Sequence, residues 1–571
     1  MVRTTVRSYM RAMGGTIMQH RSEVDVLVVG AGPVGLTLAN ELVRRGVSAR
    51  IVDRQDGIRE ISKALIWHVR TQEALDKVGI LQRGLAEAKP LNEVVMRAYG
   101  KRIGSWLFPG IDSPNPHALI IGQNRTQHLL LDLLRERGGD VDWQTEAVAL
   151  DLSDEEAVTV TLGAANGSGA GEAVRARYVV GCEGSDSLVR KTLGITFEGE
   201  RYSGEQFIQA DCKISWVLPS GRSYLFLTDD GYLMVIEMPG GFVRVFISLP
   251  DADGAGAAAA AASQGAVEDI HAAPALADIR SNLARLTGID ADLSEPVWLA
   301  RYRTSHRSAN TFRRGRCFLA GDAGHVHVPI GGQGMNTGIQ DAFNLGWKLA
   351  GVANGTLRED ILDTYDAERR PVAKALLAGT DRSYRGILHP SDLQQRLVRM
   401  FGPFIVKTDA AQHAVGTILE ELNIAYDASP LNRDLGGSTG PRPGRRAPLD
   451  ATVVRLRDKA TVTFAELTRA DDWIVVAFAG LSAPADARIP APPSFSSRAA
   501  TPACYYVTTT VAPSAAAGFE IVVDAEEHLH RAYGIEESAY YLIRPDGVVG
   551  LRGPGFDPGA IDAYLGALLR A

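Results

Sequence analysis

The chain lacks a cationic excess. Sixty Lys and Arg stand against 67 Asp and Glu, a net charge of −7, and without a basic face there is no electrostatic footprint for nucleic acid. Lysine is scarce, 10 of the 60 cations, which reads as a coding bias. The four cysteines (Cys182, Cys212, Cys317, Cys504) lie far apart with no CxxC, which indicates neither a disulfide framework nor a zinc site and fits a reducing cytoplasm. No run of about 18 apolar residues is found, so no membrane span is expected; the alanine run at 257–262 is too short. The opening segment is basic but has no uninterrupted apolar stretch of the signal-peptide kind. Met10, Met13 and Met18 are each alternative starts, and residues 1–22 are expected to form a disordered extension of a cytoplasmic protein. No repeat of 20–50 residues is visible.

What is present suits a large globular chain. With 571 residues, 45% hydrophobic and 22% charged, about three or four domains with substantial cores are expected. Glycine is abundant, 59 residues, with no collagen-like period, a hint of backbone approaching a large ligand. Residues 24–29, 34–45 and 49–52 read as strand, helix and strand, a βαβ unit. Helical patterns follow at 70–78 and 125–137, alternating segments at 146–151, 157–162 and 174–181, with 164–171 as a hairpin tip. Strand-like runs between 196 and 250 form an antiparallel sheet distinct from the first unit. An Ala/Gly-rich excursion at 251–275 precedes a helix near 275–286, a strand at 317–321, a helix at 336–352 and two or three helices over 363–425. The Gly/Pro-rich stretch 436–448 is the clearest boundary, and beyond it strands at 474–478, 505–509 and 540–543 mark a separate α/β module. The first module is thus interrupted: 24–52, 174–181 and 317–321 must meet in one sheet.

Two constellations carry chemistry. Gly30, Gly32 and Gly35, with Pro33 and Val34 between them, open a helix directly after a strand. These glycines permit a tight turn, close approach to a pyrophosphate and tight helix–strand packing. Asp53 ends the second strand, where an acid binds ribose hydroxyls. That fingerprint serves FAD and NAD alike. The second constellation separates them: Gly315 to His325, with Asp322 at the end of a strand, then Pro329, Gly331, Gly332, Gly334, Met335 and Asn336 leading into a helix. A strand-end acid suits polyol hydroxyls, and a helix N-terminus suits the negative charge of reduced flavin at N1 and C2=O.

Over Gly315–Ala350 the sequence resembles, almost throughout, the single-component FAD aromatic hydroxylases, the family of para-hydroxybenzoate and phenol hydroxylases. Further matches are Tyr178–Arg190, with Glu183-Gly184 where the family usually has Asp-Gly; Gln123–Thr126, followed by Gln127 where a Glu is usual; and Ser62-Lys63-Ala64 with Arg70-Thr71, with lysine in place of arginine. The resemblance implies that Glu183, Gly184, Gln123, Arg54 and Val148 lie along FAD, and that Lys63 and Arg70 face its phosphates and incoming NADPH or NADH. Residues 441–448 and 542–552 resemble the thioredoxin-like domain appended to phenol and aromatic polyketide hydroxylases, so the closest resemblance is to that group. Cys504 stands alone there, so the module reads as structural, at a homodimer interface.

The resemblance implies an α/β fold: a Rossmann-like FAD-binding domain (23–195 and 301–436, the latter with helices) interleaved with an antiparallel substrate-binding sheet domain (196–300), plus a thioredoxin-like domain at 437–571. It implies that NAD(P)H reduces FAD, that O2 forms a flavin C4a-hydroperoxide, and that this hydroxylates a phenolic or polycyclic aromatic substrate, as in antibiotic biosynthesis. Only one dinucleotide fingerprint occurs, so the nicotinamide nucleotide is a transient visitor. No catalytic triad is expected. The candidates for assisting the phenolate are His68, Tyr224 and Arg244; His325 and His327 read as cofactor-adjacent scaffold, and no metal site is indicated. Three alternatives stand beside this reading: a Baeyer–Villiger oxygen insertion in a polyketide, a non-catalytic flavin-binding protein, and a flavin halogenase, whose WxWxIP motif is absent.

Overall fold

The computed structural model describes residues 22–570 except 61, 108–110, 112, 168–170, 202–204, 251–267, 270–272, 304, 328–330, 389–390, 470–471, 482, 484–489, 492–501 and 511–517. The expected N-terminal extension, apart from Ser22, most of the Ala/Gly-rich excursion, and Pro329 therefore lie outside the described residues.

The first sheet assembles distant pieces of chain. Glu23–Val29 runs parallel to Ala49–Val52 on one side and to Glu172–Gly181 on the other, and Cys317–Leu319 adds in parallel beyond it. These strands are short, β-branched and covered on both faces, as parallel strands must be; Val26, Leu27 and Val28 have no exposed surface. Glu172–Gly181 continues into an antiparallel hairpin with Val158–Ala164. The helix Pro33–Arg44 lies against Gln333–Ala353, which begins three residues before the expected helix at 336–352 because Gly332 supplies its N-cap in a left-handed conformation (φ 70°).

The second sheet has eight strands, in the order Glu268–Asp269, Ala291–Arg303, Glu205–Trp216, Val243–Pro250, Gly231–Glu237, Ser223–Thr228, Glu93–Ala98 and Lys101–Leu107. Its last two strands come from inside the stretch 23–195, and Glu93–Ala98 pairs in parallel with Ser223–Thr228. Alternation along the strands divides its side chains. The back face, with Phe226, Leu233, Val235, Val245 and Ile247, packs on Ile279 and Leu283 of the helix Leu276–Thr287. The front face carries Phe207, Tyr232, Phe246 and Tyr302, and next to them Leu225 and Ile236 meet Leu65 and Ile66 of the first unit.

Three helices follow the first unit, Asp363–Leu388, Asp392–Ile405 and Asp409–Leu419. The C-terminal unit has its own sheet: Ile474–Phe478, Ala503–Thr508 and Glu520–Val523 are parallel neighbours, and the hairpin Ala539–Ile543/Val549–Pro554 extends it antiparallel. Among the described residues no helix is long and apolar enough to cross a membrane.

A buried charge cluster fastens this unit to the first. Glu368 accepts from Arg544 at 2.6 and 2.9 Å, from Lys348 at 2.7 Å and from Asn344 at 2.7 Å. Arg544 also pairs with Asp546 at 2.5 Å. Burial opposes the charge on Glu368, but Arg544 and Lys348 outweigh it and hold its carboxyl far below the usual range. Burial dominates at Lys348, which falls to about 8. Removing one member of such a cluster strands the others in a medium that cannot solvate them. Arg544→Leu should therefore cost about 3–5 kcal/mol of stability, read by urea unfolding; a loss below about 1 kcal/mol would show that the cluster contributes little to the junction.

Candidate functional site: the dinucleotide cleft and the facing sheet

The glycine loop is shaped by what its residues lack. A Cβ on Gly30 would lie 2.5 Å from Cys182 O, and one on Gly35 would lie 1.9 Å from Gly30 O, so strand, loop and helix close together only with glycine at both places. Gly32 differs: a Cβ there would meet nothing within 4 Å. It faces open space, and it is the N-cap of Pro33–Arg44, with no side chain capping the helix amides. Such an uncapped N-terminus is built for an anion. At the rim, Asp53 accepts from Ala31 N–H at 2.6 Å and from Gln55 N–H at 2.8 Å, which holds its carboxylate beside the loop. Arg54 is exposed, 3.9 Å from Glu146. Gln127 donates to Ala31 O at 3.3 Å.

The second constellation meets the first at Val34. A Cβ on Gly321 would be 2.8 Å from Val34 Cγ2, and one on Gly338 would be 2.6 Å from the same atom. Asp322 follows in a short turn. Its side chain is exposed between the buried Gly321 and Ala323, yet surrounding protein raises its carboxyl, against the pull of His325 and Lys63. Glu183 turns inward, accepting from Ser187 Oγ at 2.8 Å and Val189 N–H at 2.9 Å. Burial raises its carboxyl, and its other oxygen is enclosed without a hydrogen-bond partner. Gly184, beside it, takes φ 87° with nothing near its absent Cβ.

The glycine turn 331–334 that opens Gln333–Ala353, called the flavin turn after the role the resemblance implies, rests on the segment 62–68. Asn336 donates to Ile66 O and Gly332 O, both at 2.8 Å, and accepts from His68 N–H at 2.9 Å. Gln123 accepts from Ala64 N–H at 3.1 Å. Lys63 is exposed, Met335 is buried, and the place of a Gly334 Cβ lies 3.4 Å from His327 Nε2. His325 hydrogen-bonds Asp341 at 2.7 Å; Asp341 also takes Arg369 at 2.7 Å and Gly321 N–H at 3.1 Å, so this histidine is scaffold beneath the turn.

Several expected residues stand elsewhere. Tyr224 is on the back face of the sheet, its hydroxyl donating to Pro219 O at 2.6 Å, because strand alternation turns Leu225 and not Tyr224 to the front. Arg70 is engaged by Glu73 at 2.8 Å and by Asp546 O at 2.8 Å, at the junction with the C-terminal unit. Arg244 does face forward but is a strut: it pairs with Asp211 at 2.7 Å and donates to Ser62 O and Lys63 O. His68 lies behind the flavin turn, bonded to Gly331 O at 2.7 Å. Val148 sits at a strand irregularity, half exposed. Sequence reasoning missed Gly338 as the partner of Val34, and Glu420 and Glu421, which reach His68 and the turn-bearing helix. The spacing of Gly338 within a Gly-rich helix start was the only signal available.

The donor set suits FAD: uncapped amides for a diphosphate, carboxylates at both rims for hydroxyls, and a glycine with vacant space at the closest approach. Residues 23–380 match the family model of the FAD binding domain, and the chain belongs to that family. It is 30% identical over 554 residues to 6-methylpretetramide 4-monooxygenase of Streptomyces rimosus, covering 95% of this chain and 93% of that one. With pentachlorophenol 4-monooxygenase of Sphingobium chlorophenolicum it shares 35% over 383 residues, 66% of this chain and 67% of the relative. The solved structure of anhydrotetracycline hydroxylase from Streptomyces rimosus superposes with a TM-score of 0.66 at 27% identity, covering 93% and 96% of the two chains. The protein is an FAD-dependent aromatic monooxygenase.

Two glycines separate folding from binding. Gly32→Ala should leave the stability of the protein freed of FAD within about 0.5 kcal/mol of wild type while weakening FAD at least about tenfold, since the new methyl enters the diphosphate space. Gly35→Ala should destabilise the chain itself by about 1–3 kcal/mol through overpacking. Thermal melts with and without FAD, and titration of FAD, check both; equal effects of the two would contradict this geometry. Asp322→Ala should weaken FAD about tenfold to a hundredfold, the loss of a charged hydrogen bond.

Proposed function

We propose that the enzyme hydroxylates a phenolic or polycyclic aromatic compound held between the front face of the eight-stranded sheet and the flavin turn, using electrons from NADPH or NADH. The observation that carries this reading is the front face itself. Phe207, Phe246 and Tyr302 pack together, with Phe207 stacked on Tyr302 at 5.9 Å between ring centroids, and Leu225, Met234 and Trp298 surround them. Such a wall excludes water and offers flat rings a complementary surface. Two of its polar groups are engaged within the sheet: Gln209 with the Tyr302 hydroxyl at 3.0 Å, and Arg244 with Asp211.

FAD held there would supply the redox chemistry, by which two electrons from NAD(P)H and one O2 would leave one oxygen atom on the substrate and one in water. This chain's part is placement and dryness. The helix amides at Gly32 and the Asp53 and Asp322 carboxylates hold the dinucleotide. The amides that open Gln333–Ala353, which no side chain caps, would stabilise negative charge on a flavin held there, and the sheet would keep solvent from it. With a single fingerprint occupied by FAD, the nicotinamide nucleotide binds only in passing, and hydroxylation takes precedence over oxygen insertion beside a ketone because a flat ring suits the stacked wall.

The C-terminal unit belongs to this proposal as a thioredoxin-like, structural module that contributes to a homodimer. Its parallel strands flanked by an antiparallel hairpin support that fold. Burial pushes the Cys504 thiol up to about 11, far from a reactive thiolate.

The purified protein should be yellow, release all its flavin on acid treatment, and consume NADPH several times faster with a cognate phenolic or polycyclic aromatic. Mass spectrometry under 18O2 should show one labelled oxygen, and NMR should place it on a ring carbon; label inside a new ester, or NADPH consumption indifferent to every aromatic, would sink the proposal. Cys504→Ser should retain full turnover, and loss of hydroxylation in a folded Cys504→Ser protein would restore a thiol role.

A further inference from the structure

The two ends of the helix Asp409–Leu419 touch the two halves of the site. Near its start, Gln412 accepts from Leu107 N–H at 2.9 Å and donates to Ser105 O at 3.0 Å, both on the edge strand of the front-facing sheet. At its far end, three consecutive residues, Leu419 to Glu421, pack against the flavin turn and its helix. Leu419 Cδ2 lies 3.2 Å from where a Gly331 Cβ would stand. Glu420 accepts from Val69 N–H at 2.8 Å and lies 3.4 Å from His68 Nδ1. Glu421 accepts from Thr337 at 3.3 Å and from Gln340, both on the turn-bearing helix.

Both ring nitrogens of His68 face oxygen. Nε2 is 2.7 Å from Gly331 O, a carbonyl that can only accept, so Nε2 carries a proton. Nδ1 is buried, makes no hydrogen bond and lies 3.4 Å from the Glu420 carboxylate, an ion-pair distance at which a second proton makes the ring an imidazolium.

We propose that His68, held as an imidazolium between Gly331 O and Glu420, is a positioning residue for the flavin turn, and that the helix Asp409–Leu419 ties its setting to the edge of the substrate sheet through Gln412. This rests on the functional reading above and adds to it a route by which a filled sheet sets the turn. The neighbourhood supports the charge: burial alone would lower the His68 pKa, but Glu420 and Glu421 raise it. The other charged groups around it are accounted for. Burial lifts Glu421 to about 7, against the pull of His68 and Arg369, while Arg70 and Glu73, on the helix that His68 begins, pair with each other.

Hydrogen–deuterium exchange on the FAD-loaded protein, without any aromatic, tests the link. Gln412→Leu should keep its FAD and speed exchange at least about threefold over residues 331–337, none of which Gln412 touches, as well as over 105–107. Glu420→Gln should loosen 331–337 alone. In the wild type, protection there, taken as exchange relative to the intrinsic amide rate at each pH, should fall as pH climbs past the ordinary histidine range and Nδ1 loses its proton; His68→Gln, which keeps a donor for Gly331 O but no charge, should give a flat protection profile. Aromatic-independent NADPH oxidation should rise severalfold in Gln412→Leu. Changes confined to 105–107 in Gln412→Leu, or an unaltered pH profile in His68→Gln, would overturn the proposal. A wild type that hydroxylates no aromatic would instead overturn the functional reading, and the exchange result would stand apart from it.

Discussion

The site depends on a contact that only missing atoms make possible. Val34, at the start of the first long helix, sits against Gly321 and Gly338, two positions about three hundred residues further along the chain, and either one with a Cβ would collide with it. The same helix pair closes again further along, where a Gly346 Cβ would lie 2.7 Å from Glu41 Cβ. Through this contact the two halves of an interrupted nucleotide domain become one body. The uncapped amides, the Asp53 rim and the Asp322 turn converge because the backbones behind them approach this closely. Close packing of this sort has no gradual failure: a methyl group either fits or moves a helix.

What could be read from the sequence was what is written locally. The strand–glycine–helix–strand run from 24 to 53 and the 315–336 constellation announce themselves through spacing over a few residues, and the structure assembles their strands in one parallel sheet. What escaped was set by register across long distances. The strand Glu93–Ala98 joins the second sheet by pairing with Ser223–Thr228, more than a hundred residues away, and carries its neighbour Lys101–Leu107 with it; nothing in their own composition marks the partner. Tyr224 illustrates the finer case. A strand was evident there, but which of its faces met the cofactor depended on a parity that one residue of slip would reverse. Arg70 and Arg244 were legible as cations near the site, and Glu73 lies within one helical turn of Arg70, but Asp546 O beside Arg70 and Asp211 beside Arg244 are brought there by the tertiary fold.

The charge cluster around Glu368 shows a different economy. Burying several ions together gives little net stability over an apolar junction, since desolvation offsets attraction. It does make the junction selective: Arg544 and Asp546 find full partners only when the C-terminal hairpin sits against Asn344 and Lys348. A misdocked unit would leave charges unsolvated, so the cluster favours one placement of this unit over others.

The two faces of the eight-stranded sheet hold one further consequence. Side chains that pack on the helix Leu276–Thr287 and those that look toward the flavin turn alternate along the same strands. Heredity can therefore rewrite every second letter of a strand and leave the neighbouring letters alone. A lineage could replace Leu225, Met234 or Phe246 to admit a wider or narrower ring system while Phe226, Val235 and Val245 keep the sheet seated. The Arg244–Asp211 strut would go on holding Ser62 and Lys63 where they are. With the substrate on the front face, as proposed above, chemical diversity on such a scaffold would accumulate on one side of a sheet while the other side stayed constant, and a new aromatic substrate would need no more than a change of lining.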